Sequence, residues 1–227
     1  PGVPRNGGRP LSRAFSPGLA LALTIVAILG FWPTYFGPLL SGAPYERHWI
    51  FHVHAAVFMG WMALLILQVS LAARRRTKAH RTVGTWGFLE GVAVFVFGVL
   101  VSLAIIRAGY SDGSITSVPG ALWYASAPLT DIIQFAILLA LGWQTRRKVE
   151  FHRRYMVWAT VAMLPAATGR MGYLLGSWSF EIAFAAIVAV LIARDLKKLG
   201  RIHRATIIGL LILFPRLVLN LSYRFVS

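Results

Sequence analysis

The sequence predicts an all-α fold, an integral membrane bundle of seven transmembrane helices oriented N-in/C-out, and three observations carry that prediction. Of the 227 residues, 57% are hydrophobic and only 13% charged, with 21 Gly and 8 Trp, a composition typical of polytopic membrane proteins. Apolar runs of about 20 residues recur along the chain, each long enough to cross hydrocarbon at ~1.5 Å per residue. Basic residues gather between alternate runs, where three His-Arg pairs open apolar segments in the phrases AHRTVGTWGF, FHRRYMVWAT and IHRATIIGLL.

Residues 1 to 14, rich in Pro, Gly and Arg, read as a mobile cytoplasmic tail, and residues 15 to 227 as the seven-helix transmembrane domain. The expected spans run 16 to 38, 48 to 73, 83 to 107, 121 to 144, 155 to 175, 178 to 194 and 205 to 223. Ser41-Gly42-Ala43 resembles a signal-peptidase site, but the apolar run before it is long and Pro44 would follow the cut, so it counts as a true span. With a cytoplasmic N-terminus, the inside segments hold 18 of the 23 basic residues, as the positive-inside rule requires. Trp32, Tyr35, Trp49, Trp123, Tyr124 and Trp178 then fall at outer ends, and Trp86, Trp143 and Trp158 at inner ends, where amphipathic rings anchor to the interface. After the first span, the remaining six pair into three like-oriented hairpins that turn at His80-Arg81, His152-Arg153 and His203-Arg204.

The same pattern excludes several functions. The formal charge of +16 sits in loops between spans, so it calls for no nucleic acid, and the partner it implies is the lipid bilayer. Absence of cysteine removes disulfides, thiolate catalysis and Cys-ligated metal or iron-sulfur centres. There is no HExxH zinc helix, GxSxG elbow or P-loop, and every lysine lies in a cytoplasmic loop, which excludes a retinal Schiff base.

Ionisable residues inside apolar spans are costly and mark candidate sites: Glu90, Asp131, Arg170 and Arg216. Counting rise from the span ends puts Asp131, Arg170 and Arg216 at depths where a polar cluster in the outer half could form, with His52 or His54 beside it. One guanidinium balances Asp131, and the second wants another acceptor: an anionic ligand, a quinone carbonyl or a lipid headgroup. His48 and His52, four residues apart, share a helix face and have the spacing of a two-imidazole metal site, with Glu46, Asp112 or Glu181 as further oxygen ligands. His54 lies about 200° round the helix from His52. At the inner end, His80, His152 and His203 are candidate contacts for a metal, haem or quinone headgroup, against the architectural reading in which Arg snorkels and His sits at the interface. A haem between His48 and His52 is disfavoured, because neighbours on one helix face cannot sandwich its plane.

The phrases HVHAAVFMGWMALLILQVSLAARRRTKAHRTVGTWG, DIIQFAILLALGWQTRRKVEFHRRYMVWATVAMLPAATGR and RDLKKLGRIHRATIIGL resemble a widespread group of bacterial polytopic inner-membrane proteins of unknown function. The likeness spans residues 48 to 216 and rests on His52, His54, His80, Asp131, His152, Arg170 and His203. It implies the bacterial inner membrane and no mechanism. Three functions stay open: a membrane component of redox metabolism holding haem, a quinone or a metal ion; a proton-coupled transporter of a small anion, using Arg170, Arg216 and Asp131 or His54; and a structural or assembly subunit of a larger membrane complex, whose polar residues would close salt bridges without a cavity.

Overall fold

A computed structural model describes residues 11 to 42 and 48 to 226, with side chains from 17 to 222. Most of the tail, together with Glu46 and the side chain of Arg224, lies outside the described residues. The described residues form helices and no strand. In chain order these are α1 (Leu11–Phe31), a π-turn (Trp32–Phe36), α2 (Gly37–Leu40), α3 (Trp49–Ala73), α4 (Thr77–Ser111), α5 (Val118–Gln144), α6 (Val149–Ala162), α7 (Pro165–Thr168), α8 (Gly172–Leu175), a 3-10 turn (Gly176–Trp178), α9 (Ser179–Leu199) and α10 (Arg204–Val226).

Among the described residues, six helical segments are long and apolar enough to cross a membrane: Pro17–Leu40, Trp49–Ala73, Thr77–Ser111, Val118–Gln144, Gly172–Leu199 and Arg204–Ser222. The difference from the sequence expectation lies in the fifth span. Residues 155 to 175 do not form one helix but break into α6, α7 and α8. Pro165 has no N–H to continue the ladder, and the amides of Met163 and Leu164 bond back only three residues, to Thr160 and Val161. Gly169, Gly172 and Gly176 follow, and Gly176 has a φ of +68° that favours glycine. Another irregularity interrupts the first span. Pro33 removes a donor there, and the Gly37 amide reaches back five residues to the Trp32 carbonyl.

Broken though it is, the fifth segment is the centre of the molecule. On α6, Tyr155 and the run Val157–Ala162 are buried, with Trp158 1% exposed, so Trp158 is a core residue and not the interfacial anchor expected from its position. α6 packs on α5 and α10, and α7 packs on α1 and α9. These contacts are close because small residues let backbones approach, as is usual where lipid supplies no hydrophobic drive between helices. A Cβ on Gly30 of α1 would lie 2.3 Å from the Ala167 carbonyl oxygen, and one on Gly209 of α10 would lie 2.4 Å from the Trp158 ring. On α4, Gly87, Gly91 and Gly98 receive Leu64, Leu139 and Ile132 respectively. The opposite side of α4 exposes Leu89, Val92, Val96, Leu100 and Leu103, a surface suited to lipid.

The three basic turns gather at one end of the bundle. His80 and His152 lie ring to ring, Phe151 packs on His203, and Arg154 binds Asp195 next to the α9–α10 turn.

Candidate functional site

Two polar regions stand apart, one around Asp131 midway along α5 and one among the basic turns. In the first, Asp131 of α5 and Arg216 of α10 form a buried pair, Nε donating to Oδ1 at 2.8 Å. The guanidinium continues to Asn220 Oδ1 at 3.3 Å, and Asn220 donates to Glu181 Oε1 at 2.8 Å. Phe180 covers the Arg216 guanidinium, with its ring centre 5.1 Å from Cζ. α10 presents Arg216 and Asn220 one turn apart, so a single helix face carries two of the four members. The result is a closed chain across α5, α9 and α10. Further along α5, Gln134 is 4% exposed and neither of its amide atoms has a hydrogen-bond partner among the described residues.

Other residues expected in this cluster go elsewhere. Arg170 is exposed, donates to the Ala166 carbonyl and lies over the Phe31 ring at 4.9 Å, so Arg170 and Arg216 have different partners. His52 Nδ1 meets the Tyr35 hydroxyl at 3.1 Å. His54 stacks on Phe58, their ring centres 6.4 Å apart. His48 caps α3, accepting from the Ile50 amide at 3.5 Å. The imidazoles of His48 and His52 thus serve different partners, as do their expected oxygen ligands: Asp112 accepts from the Ser114 amide, and Glu181 from Asn220. Among the described residues, no group of three or more His, Asp or Glu side chains is arranged to hold a metal ion. Glu90 is half-buried, its Oε1 only 2.5 Å from where a Gly60 Cβ would sit.

Among the basic turns, His80 near the start of α4 and His152 near the start of α6 have ring centres 6.2 Å apart and planes at 84°. Each has its Nδ1 beside a backbone carbonyl: His152 at 2.8 Å from Gly142, His80 at 3.3 Å from Gln68. A carbonyl can only accept, so Nδ1 of His152 carries the proton and its Nε2 is left with the lone pair. Anchoring of one ring nitrogen by a carbonyl is the arrangement that fixes ligating histidines. With its amide oriented to satisfy both ends, the Gln68 side chain donates through its nitrogen to the His80 carbonyl at 3.1 Å and to His80 Nδ1 at 2.5 Å, and its oxygen accepts from the Gly84 amide at 2.8 Å, which makes His80 Nδ1 an acceptor. Burial pushes the His152 pKa below its ordinary value and the neighbouring His80 charge adds to that, while the Gly142 carbonyl opposes both. His152 is therefore held neutral, the form that binds metals.

His203 does not join this pair. Its ring packs on Phe151 at 4.7 Å and its Nδ1 accepts from the Ala205 amide at 3.0 Å. Its own amide donates to Asp195 Oδ2 at 3.0 Å. Asp195, 2% exposed, also accepts from Thr206 at 2.5 Å and from the Arg154 guanidinium, whose other arm reaches Glu150 at 2.5 Å. This network was not legible as a site, because Arg154 and Asp195 read as ordinary loop charges until the hairpins pack. The signal available was that Glu150 and Asp195 are the acidic residues within otherwise basic turns.

No known protein family, curated protein or solved structure matches this chain.

Proposed function

We propose that this multi-pass membrane protein holds a redox cofactor or metal ion through imidazoles at its cytoplasmic end, with His80 and His152 as the ligand pair. The observation that carries this reading is the meeting of two histidines from separate hairpins, with Nδ1 of His152 anchored by the Gly142 carbonyl and Nδ1 of His80 held by the Gln68 side chain. Two imidazoles bonded on opposite sides of one ion at ~2.0 Å have ring centres on the order of 6 Å apart, which their spacing matches. A haem iron, a free transition-metal ion and a quinone headgroup all suit such a pair, the first two as ring-nitrogen ligand sets in which the His80 Nε2 proton is given up on binding, and the third as a hydrogen-bond partner.

The topology belongs to the same proposal. The chain crosses the bacterial inner membrane seven times, the broken α6–α7 segment supplying the fifth crossing, with the N-terminus and the three basic turns in the cytoplasm. The excess of Lys and Arg in those turns supports this orientation.

An absorption spectrum and elemental analysis of the detergent-purified protein test the site directly. The expected result is a Soret band or a stoichiometric metal, lost in His80→Ala and His152→Ala and kept in His203→Ala. Protein with no Soret band, no metal and no co-purifying quinone overturns the reading. A second reading, a structural or assembly subunit, draws support from the closed Asp131–Arg216–Asn220–Glu181 chain and expects migration in a larger complex. The anion-transport alternative has less support, because Arg170 and Arg216 do not share a partner.

A further inference from the structure

We propose, on the reading that His80 and His152 form the binding site, that the pair recognises the phenolic hydroxyl of a hydroquinone. The two ring nitrogens left free by the fold are one donor and one acceptor. Nδ1 of His152 lies 2.8 Å from the Gly142 carbonyl and carries the proton, so its Nε2 can only accept. Nδ1 of His80 accepts from the Gln68 side chain at 2.5 Å, which leaves the proton on Nε2 and makes that atom a donor. Neither Nε2 has a hydrogen-bond partner among the described residues. Nor do the rings satisfy each other: their centres are 6.2 Å apart, beyond the ~5 Å at which an N–H···N bond holds two imidazoles end to end.

A hydroxyl answers both nitrogens at once. Its oxygen accepts from His80 while its hydrogen goes to His152, and N···O separations of ~2.8 Å on either side of a bent bridge span the gap. A quinone carbonyl accepts but has nothing to donate, so it leaves His152 Nε2 unanswered. A metal cation suits His152 but requires the His80 Nε2 proton to leave. Two turns along α4 from His80, Phe88 packs on Trp143, the residue after Gly142, with ring centres 4.5 Å apart. These aromatic faces favour a hydroxyl carried on an aromatic ring over water or an aliphatic alcohol. Gln68 sets the selectivity. Without its amide, the partner that remains for His80 Nδ1 is the backbone carbonyl of residue 68 at 3.3 Å, which selects the opposite tautomer and turns both Nε2 atoms into acceptors.

Isothermal titration of the detergent-purified full chain under argon tests this with three probes: duroquinol, a tetramethyl hydroquinone, its oxidised form duroquinone, and zinc ion. Duroquinol should bind about tenfold more tightly than duroquinone, the equivalent of one hydrogen bond. Gln68→Leu should abolish that preference while raising the affinity for zinc, a reversal that misfolding does not produce. His152→Ala should also abolish the preference, and His203→Ala should keep it. Duroquinone binding as tightly as duroquinol, or a preference that survives Gln68→Leu, overturns the proposal. Stoichiometric zinc or haem without duroquinol binding overturns the hydroxyl assignment alone and leaves the imidazole pair as a ligand set. If none of the three probes binds and the purified protein carries no haem, both readings fall.

Discussion

Asp131 and Arg216 illustrate how a buried charge pair is held and what it is worth. Each is under 10% exposed, and the pair is extended by Asn220 and Glu181, so removing one partner strands the other charge in an apolar setting. Asp131→Ala should therefore destabilise the fold by about 3–5 kcal/mol, while Asp131→Leu combined with Arg216→Met should recover most of that loss. Unfolding in mixed micelles at increasing denaturing detergent measures both, and a double variant as unstable as the single one would contradict a purely structural pair. His152 offers a second test at this scale. Its folded pKa is depressed by burial, so the stability that depends on neutral His152 is present above the unfolded value of ~6.5 and is lost as pH falls through the folded value. The midpoint of unfolding should drop as pH falls below about 6.5, and His152→Gln should flatten that slope.

Helices in this bundle approach through glycine, and the consequences differ by position. Gly30 faces the backbone of α7, which has no flexible end to yield: a Cβ there meets the carbonyl oxygen, carbonyl carbon and Cα of Ala167 within 2.7 Å. Gly30→Ala should cost about 1–3 kcal/mol through overpacking and should loosen α1 from the broken segment. Gly18, on the same helix, has nothing within 4 Å, so Gly18→Ala should be neutral or stabilise by up to about 1 kcal/mol from helix propensity. The contrast, read in one unfolding assay, separates close packing from propensity. Equal effects at the two positions would remove the argument that α1 and α7 touch. The break in the fifth segment belongs to this scale as well. Pro165 and the glycines after it were visible signals, but the apolar length of 155 to 175 outweighed them in a reading by hydrophobicity.

The whole molecule has its basic turns at one end and the Asp131 cluster away from them, an asymmetry that fixes how it can be tested in cells. Because the chain has no cysteine, single cysteines report topology without background. Ser111→Cys, at the end of α4, should react with a membrane-impermeant maleimide in intact cells whose outer membrane has been opened. Lys148→Cys and Lys197→Cys should react only after the inner membrane is permeabilised. The reverse pattern would invert the orientation and move the imidazole pair to the other face. The distribution of burial also suggests an order of stability. α6 lies in the core, while about half of α9 is exposed, so α9 should be more easily displaced than α6 or more readily covered by lipid or a partner.

The sequence by itself determined the membrane class, the positions of six of the long apolar helices and the three basic turns. All of these follow from local properties: apolar run length, charge placement and rise per residue. Tertiary structure alone decided which charges find each other. His80 and His152 are 72 positions apart and meet because α3–α4 and α5–α6 pack side by side, and the same packing buries Arg154 against Asp195. Equally, Arg170 was placed by depth near Asp131, yet the break at Pro165 ends the regular helix that the estimate assumed, and its side chain turns to Phe31 instead. Depth along a helix is a one-dimensional quantity that sequence carries; azimuth around the bundle is set by which faces pack, and the candidate sites depend on it.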